Sequence, residues 1–199
     1  MRTAIIYGVL ILMALVAGSV SALWMSGLLG KGTLSGFATL NVNGWRSDPS
    51  IGATSASAYT RARVARHGLL ALAKEEAIYF TRTTDDTGDP LLERCTYQLS
   101  GGPQDAFWWS ITLYDAESRL PMNEDAHLSI DATSVGNTSD WTATISPTQP
   151  DNGYWLSSRS AGQFDLTLRL YRPAVDVIED PDNRLFAPQV RRIGCGDPA

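Results

Sequence analysis

The chain begins with a long apolar stretch before any alternating pattern starts. Residues 4–24 read AIIYGVLILMALVAGSVSALW, and no charged residue lies between Thr3 and Gly30. A helix of this length crosses about 30 Å of hydrocarbon. We therefore predict a transmembrane anchor over residues 1–30, with residues 4–24 in the membrane. A cleaved signal peptide is the alternative, because Val20 and Ala22 are small residues suited to a cleavage site.

Residues 31–55 are rich in Gly, Ser, Thr and Asn, and we interpret them as a tether. Trp45 lies in this stretch, within NGWRSDP. A tryptophan is unusual in a linker, so we expect its ring to dock on the domain that follows.

A short amphipathic helix is predicted after the tether, capped by Ser55 or Ser57. Its narrow apolar face recurs at helical spacing through Ala58, Ala62, Ala65, Leu69 and Leu72. Another side carries Arg63, Arg66 and His67. A solvated surface is the simpler interpretation of these basic residues, and contact with anionic phospholipid is the alternative.

From residue 77 onward the pattern changes to a period of two. Six stretches alternate in this way between Gly, Pro, Asn and Asp turns: AIYFTRTTD, CTYQLSG, FWWSITLYD, HLSIDATSV, WTATISP and FDLTLRLY. Short strands at such intervals are typical of an all-β sandwich or jelly roll. We predict that residues 56–199 form a mainly β domain, a jelly-roll-like antiparallel β-sandwich.

Two of these strands divide into one apolar side and one mixed side. The apolar sides should face the core, and they consist of Phe107, Trp109, Ile111 and Leu113 in one strand and Phe164, Leu166, Leu168 and Leu170 in the other. The opposite sides carry Trp108, Ser110, Thr112 and Tyr114 together with Asp165, Thr167, Arg169 and Tyr171.

Aromatic rings beside hydroxyls and an arginine suit a sugar or an anionic polar ligand. The eight residues of the mixed sides are therefore our predicted binding site. The alternative is structural: the helix or the docked tether covers this face, and Arg169 pairs with Asp165.

Charge and cysteine usage narrow the possible partners and compartment. The formal net charge is −5, and every acidic residue lies after position 47. A nucleic-acid partner would require a basic surface, so we expect none. Cys95 and Cys195 are the only cysteines and have no metal-ligand spacing. In an oxidising compartment they are disulfide candidates, and two unpaired buried thiols are the alternative.

We find no motif that indicates catalysis, and no P-loop, HExxH or GxSxG pattern occurs. His127 lies near Glu124 and Asp125, but a solvated loop explains this cluster better than a metal site does. No metal or cofactor is therefore predicted. Asp115 and Asp165, or Glu124, could supply the carboxylates of a glycoside hydrolase, although chain spacing cannot establish their separation.

Several blocks resemble the domain of unknown function 1214 family. They are EEAIYFTRTTDDTGDPL, CTYQL, FWWSITLYD, the pair Met122 and Asn123, YWL, and FDLTLRLYRP. The resemblance covers roughly residues 57–195, and it implies a jelly-roll-like β-sandwich with no established activity. Family members often occur in bacterial envelopes, which implies a single-pass inner-membrane protein with its domain in the periplasm.

From the resemblance and the residues together we expect a membrane-anchored binding or accessory module for an envelope glycan or a protein partner. A hydrolase acting on envelope carbohydrate is the alternative.

Overall fold

The computed structural model describes residues 2–29, 38–66, 72–137 and 139–196. Helix α1, Arg2–Met25, is long and apolar enough to span a membrane, with a mean hydropathy of 2.3, and none of it is buried against the rest of the protein. A membrane anchor and a signal sequence both have these properties.

The described residues form ten strands and four further helices. In chain order these elements are β1 (Leu40–Val42), β2 (Trp45–Ser47), α2 (Ala58–Arg66), β3 (Ala77–Arg82), β4 (Cys95–Gly101), β5 (Ala106–Asp115), β6 (Ser129–Asp131), α3 (Ala132–Val135), β7 (Trp141–Ser146), β8 (Tyr154–Ser157), β9 (Phe164–Pro173), α4 (Val175–Glu179), α5 (Pro181–Arg184) and β10 (Gln189–Cys195). Six strands form an antiparallel sheet in the order β1-β2-β3-β9-β5-β6. The other four form a sheet in the order β10-β4-β7-β8, in which β7 and β8 are parallel. The mainly β, sandwich-like fold is as predicted, apart from this parallel pair.

The core lies between the two sheets and contains most of the predicted inward row. Trp109, Ile111 and Leu168 have no solvent exposure. The indole of Trp109 stacks on that of Trp141 in β7, with ring centroids 5.1 Å apart. A Cβ atom on Gly101 would lie 2.5 Å from the Trp141 ring, so this stacking requires glycine there. The inner face of the larger sheet is thus closely packed against the smaller sheet.

The prediction that Phe107 belongs to the core is wrong, because its side chain is 72% exposed. Phe107 lies at the end of the β5–β9 ladder, next to the pair formed by Ala106 and Pro173. Opposite it, Arg172 adopts a positive φ of 47°, and its guanidinium lies 4.6 Å from the Phe107 ring centroid. Alternation assigns Phe107 to the inner side, but burial also requires an opposing layer at that position.

Part of the predicted tether belongs to the sheet. β1 and β2 form a hairpin joined by Asn43 and Gly44, both with positive φ, and Arg46 pairs with Thr81 of β3. Asn-Gly favours the tight turn that such a hairpin needs. Trp45 is completely buried and donates a 2.7 Å hydrogen bond to the Pro188 carbonyl, so its predicted docking is confirmed.

Helix α2 begins at Ala58, and Ser57 caps it by accepting a 3.1 Å hydrogen bond from the Thr60 backbone. The predicted apolar face is wrong: Ala58, Ala62 and Ala65 are exposed. Thr60 and Val64 are buried instead. Alanine offers little area to bury, so the larger Val64 determines the packed side. His67 and Leu69 lie outside the described residues.

Residues 132–135 were predicted as part of a strand, but they form α3. Asp131 accepts hydrogen bonds from the backbones of Thr133 and Ser134, and the Ser134 hydroxyl accepts one from the Asp131 backbone. This capping box starts a helix directly after the three-residue strand β6.

The structure links Cys95 and Cys195, which face each other across β4 and β10. The bridge spans 100 residues of sequence. In the chain-entropy model a loop of about 100 residues is stabilised by about 4.7 kcal/mol. Such a bridge is typical of proteins that fold in an oxidising compartment.

Candidate functional site

The predicted site residues all lie on the outer face of the larger sheet, the face turned away from the smaller sheet. Cross-strand pairing places Trp108 opposite Tyr171, Ser110 opposite Arg169, Thr112 opposite Thr167, and Tyr114 opposite Asp165. We call these eight residues the outer row. The alternation of β5 and β9 therefore brings together all eight, as their sequence pattern indicates.

Arg169 is held at the centre of the outer row by two neutral groups. Its Nη1 donates a 3.2 Å hydrogen bond to the Thr112 hydroxyl, and its Nη2 donates a 2.7 Å bond to the Tyr114 hydroxyl. The guanidinium also lies 5.3 Å from the Tyr114 ring centroid. The side chains of Arg169 and Tyr114 thus converge over the middle of the β5–β9 pair.

Asp165 is buried but does not form the ion pair with Arg169 that the structural alternative includes. Its exposure is 8%, and no described side chain or N–H group donates a hydrogen bond to its carboxyl. Burial, with repulsion from Asp115, raises the pKa of Asp165 to about 7, and attraction to Arg169 opposes this only in part. Asp165 is therefore neutral in mildly acidic solution and becomes ionised near neutrality.

The other end of the outer row is aromatic. The rings of Trp108 and Tyr171 are tilted against each other with centroids 5.3 Å apart. The Trp108 indole donates a 2.9 Å hydrogen bond to the Thr133 hydroxyl of α3. Both rings remain partly exposed. Trp108 and Tyr114 are six positions apart on β5, so the outer row extends over about 20 Å.

One side of the outer face is covered. Tyr79 of β3 pairs with Arg169 in register and is only 7% exposed. Burial raises the pKa of Tyr79, although a backbone hydrogen bond from Leu72 opposes this rise. The chain entering β3 therefore covers the β3 side of the face. Trp108 and Arg169, on the central strands, remain partly exposed.

Asp85 is a second buried carboxylate, and unlike Asp165 it accepts several hydrogen bonds. Its side chain accepts hydrogen bonds from Thr87, from the Asp89 backbone and from Arg192. Burial alone would raise the pKa of Asp85, but these hydrogen bonds outweigh it and lower the pKa. A groove of about 660 Å³ is lined by this turn and by Arg82, whose guanidinium bonds to Asp86. These groups hold β10 against the turn.

Asp115 and the Glu124–His127 loop, considered above for hydrolysis and for a metal, make local contacts in the structure. Asp115 uses Oδ1 to accept hydrogen bonds from the backbones of Glu117 and Arg119, so its carboxylate is occupied in a turn. Asp125 pairs with Arg159 and accepts a 2.5 Å bond from Ser157. Within the described residues no cluster of His, Cys, Asp and Glu suits a metal ion.

The fold and the blocks that build its central strands match one family model. Residues 76–175, half of the chain, match the model described as "Protein of unknown function (DUF1214)". The chain belongs to this family. The matched region runs from the start of β3 to the first residue of α4, so it contains the whole outer row of this DUF1214 protein. None of the curated proteins matches it.

A solved structure with a TM-score above 0.5 supports the fold of this DUF1214 domain, and a second is reported beside it. The VPA0106 protein from Vibrio parahaemolyticus is 20% identical, with a TM-score of 0.55 over 70% of this chain and 36% of that one. An uncharacterised protein from Burkholderia cenocepacia is 12% identical, with a TM-score of 0.44 over 59% of this chain and 30% of that one. The chain thus spans about a third of the length of the Vibrio protein.

Proposed function

We propose that this protein is a binding module of the bacterial envelope, tethered to the inner membrane by α1, and that its outer row recognises a glycan on the periplasmic side. The observation that carries the proposal is the combination of partly exposed rings at Trp108 and Tyr171 with a polar centre at Arg169. Sugars present apolar ring faces and hydroxyl edges, which aromatic and polar side chains of this kind accommodate.

The polar groups of the outer row support this assignment. Ser110 and Thr167 are buried hydroxyl residues near Arg169, and they lie at the base of the face. The Trp108 indole is held by Thr133, so this ring is oriented before a ligand arrives. A prearranged aromatic surface loses little conformational entropy on binding.

The direct test is binding of the full chain, in phosphatidylcholine nanodiscs, to an array of bacterial envelope saccharides. We expect retention of at least one saccharide and a loss of about tenfold or more for Trp108→Ala and Tyr171→Ala, since truncating a central aromatic contact costs more than about 1 kcal/mol.

Phe107→Ala is the matched control, because Phe107 is an exposed aromatic residue on the same strand but on the opposite side. It should leave binding unchanged. Equal losses for Phe107→Ala and Trp108→Ala, or retention of no saccharide at all, would contradict the assignment of the outer row. Thermal melting of each variant separates lost binding from lost folding.

The alternative, a carbohydrate hydrolase, has one favourable observation: the pKa of Asp165 is raised to about 7, which suits a general acid. A hydrolase also needs a second carboxylate facing the substrate, and Asp115 is engaged by its own turn. The geometry therefore favours binding over hydrolysis. Release of reducing ends by the wild type, abolished in Asp165→Asn, would instead favour the enzyme.

A further inference from the structure

Among the described residues, no carboxylate forms an ion pair with the guanidinium of Arg169. Its hydrogen-bond acceptors are the hydroxyls of Thr112 and Tyr114, both neutral. In the described part of the chain, ion pairs involve the arginines at 63, 82, 159, 184 and 192 but not this one. Arg169 is partly exposed, so a ligand can reach it. Its positive charge is therefore available to an anion.

Asp165, on the same strand and the same side, is the carboxyl that could neutralise Arg169. It is buried, and it accepts no hydrogen bond from the described residues. The two are four positions apart on an extended strand, which is about 13 Å along the backbone. Since the pKa of Asp165 is raised to about 7, this carboxyl is uncharged in mildly acidic solution.

The remaining charged and titratable groups around the pair come from the neighbouring strands. From β3 the Tyr79 phenol faces Arg169, and Lys74, in the chain leading into β3, lines a cavity with Tyr79. From β6 Asp131 lies opposite Ser110, and its carboxylate is used to cap α3. From β5 Asp115 acts on Asp165 from within its turn. Strand β2, next to β3, adds a further arginine, Arg46, opposite Thr81.

We infer that the glycan bound by the outer row is acidic, and that its anionic group lies against Arg169 while its sugar rings lie against Trp108 and Tyr171. This inference rests on the proposed function. A guanidinium that already bonds to two neutral oxygens still has donors left for a carboxylate, because it carries five N–H groups. Bonds between two charged groups are about twice as strong as neutral ones.

The same arrangement makes the affinity depend on pH. Below pH 7 Asp165 is protonated, so Arg169 attracts the anion without competition. As the pH rises through about 7, Asp165 ionises, and its negative charge opposes the ligand. Affinity for an acidic saccharide should therefore be high at pH 5.5 and lower at pH 8. Saccharide carboxylates are ionised across this range, so the change belongs to the protein.

The experiment compares oligogalacturonate with its fully methyl-esterified form, which keeps the sugar and removes the charge. Binding of both to the full chain in phosphatidylcholine nanodiscs is measured by calorimetry at pH 5.5 and pH 8, beside an uncharged cello-oligosaccharide. We expect the acid form to bind at least about tenfold more tightly than the ester at pH 5.5, as a charge-assisted bond allows. The preference should shrink at pH 8.

Two variants identify the groups responsible. Arg169→Gln keeps a hydrogen-bond donor without the charge, and it should abolish the preference for the acid form. Asp165→Asn should retain tight binding and lose its dependence on pH. Equal binding of acid and ester, unchanged by Arg169→Gln, would overturn the acidic-ligand inference and leave glycan binding intact. Failure of all three saccharides to bind, together with an empty array, would overturn both proposals.

Discussion

On the inner side of the β5–β9 pair the long side chains pack against the other sheet, whereas on the outer side they contact one another. Trp109 stacks on Trp141 across the core, and its indole also donates to Asn137. On the outer side Arg169 bonds to Tyr114 over the strands themselves. One pair of strands therefore supports two surfaces with different partners.

The two sides differ in whether they carry a buried carboxyl. The inner side is largely apolar, so its burial stabilises the fold at any pH, and the buried N–H of Trp141 packed there, which has no hydrogen-bond partner among the described residues, does not ionise. The outer side carries the largely buried carboxyl of Asp165, to which no described group donates, and this reduces stability once the carboxyl ionises. Stability of the fold alone therefore does not explain why a carboxyl is buried at this position on the outer face. A buried carboxyl whose pKa is shifted in this way is a candidate functional residue.

The comparison is tested most strongly by truncating each tryptophan. Trp109→Ala should lower the free energy of unfolding by about 3–5 kcal/mol, because it empties a fully buried site. Trp108→Ala should cost about 1–2 kcal/mol, since its ring is only partly buried. Urea denaturation measures both. Equal losses would show that the two sides do not differ as described.

The pH dependence of stability tests the buried carboxyl. Because the folded pKa of Asp165, about 7, exceeds its unfolded value, the folded state binds the extra proton. Stability is then greatest in acid and falls as the pH rises, by about 2 kcal/mol between pH 5 and pH 7. Asp165→Asn should flatten this decline.

The lowered pKa of Asp85 has the opposite consequence, because its contribution is lost only as the pH falls below the ordinary carboxyl value. Asp165→Asn should leave that acid loss in place. A wild-type protein equally stable at pH 5 and pH 7 would contradict the raised pKa of Asp165.

Overpacking tests the closeness of the inner contact. Gly101→Ala would place a methyl group 2.5 Å from the Trp141 ring, and we expect a loss of about 1–3 kcal/mol. Gly194→Ala is the control, because no atom lies within 4 Å of its added carbon. Thermal melting of the pair should show a large shift for the first variant only.

The smallest expected effect is on the outer side. Tyr114→Phe removes the hydroxyl that accepts from Arg169 but keeps the ring beneath the guanidinium. Thr112 and water can still accept from Arg169, so the loss should be about 0.5–1 kcal/mol by urea denaturation. A loss as large as that for Trp109→Ala would mean that the outer side holds the fold together.

The period-two alternation of side chains predicted the central strands because it continues without interruption along each of them. β4 and β5 begin and end within one residue of the predicted stretches, and Trp109 and Leu168 lie in the core as expected. Phe107 was misassigned since the sequence does not show where the opposing sheet ends. The Asn43-Gly44 pair indicates a hairpin turn. The Gly, Ser, Thr and Asn content around it instead led to the interpretation of residues 31–55 as a tether.

Contacts on the outer face were less predictable. Alternation predicted that the outer-row residues share one face, but it did not predict which group bonds to Arg169. Four positions apart on a strand is too far for Asp165 to pair by default, while Tyr114 on the neighbouring strand can reach back toward the guanidinium. The capping of Asp131 onto α3 likewise depends on where β6 ends. Such contacts depend on side-chain length and on strand register, and only side-chain length can be read from the sequence.

The carbonyl of Pro188 accepts hydrogen bonds from both Trp45, at 2.7 Å, and Arg82, at 3.3 Å. The hairpin made early in synthesis is thus fastened to a residue made more than a hundred positions later. Until the segment leading into β10 has been synthesised, Trp45 lacks this acceptor and cannot be buried as it is in the folded domain. A chaperone that binds exposed apolar side chains of a growing chain would therefore have Trp45 as a target.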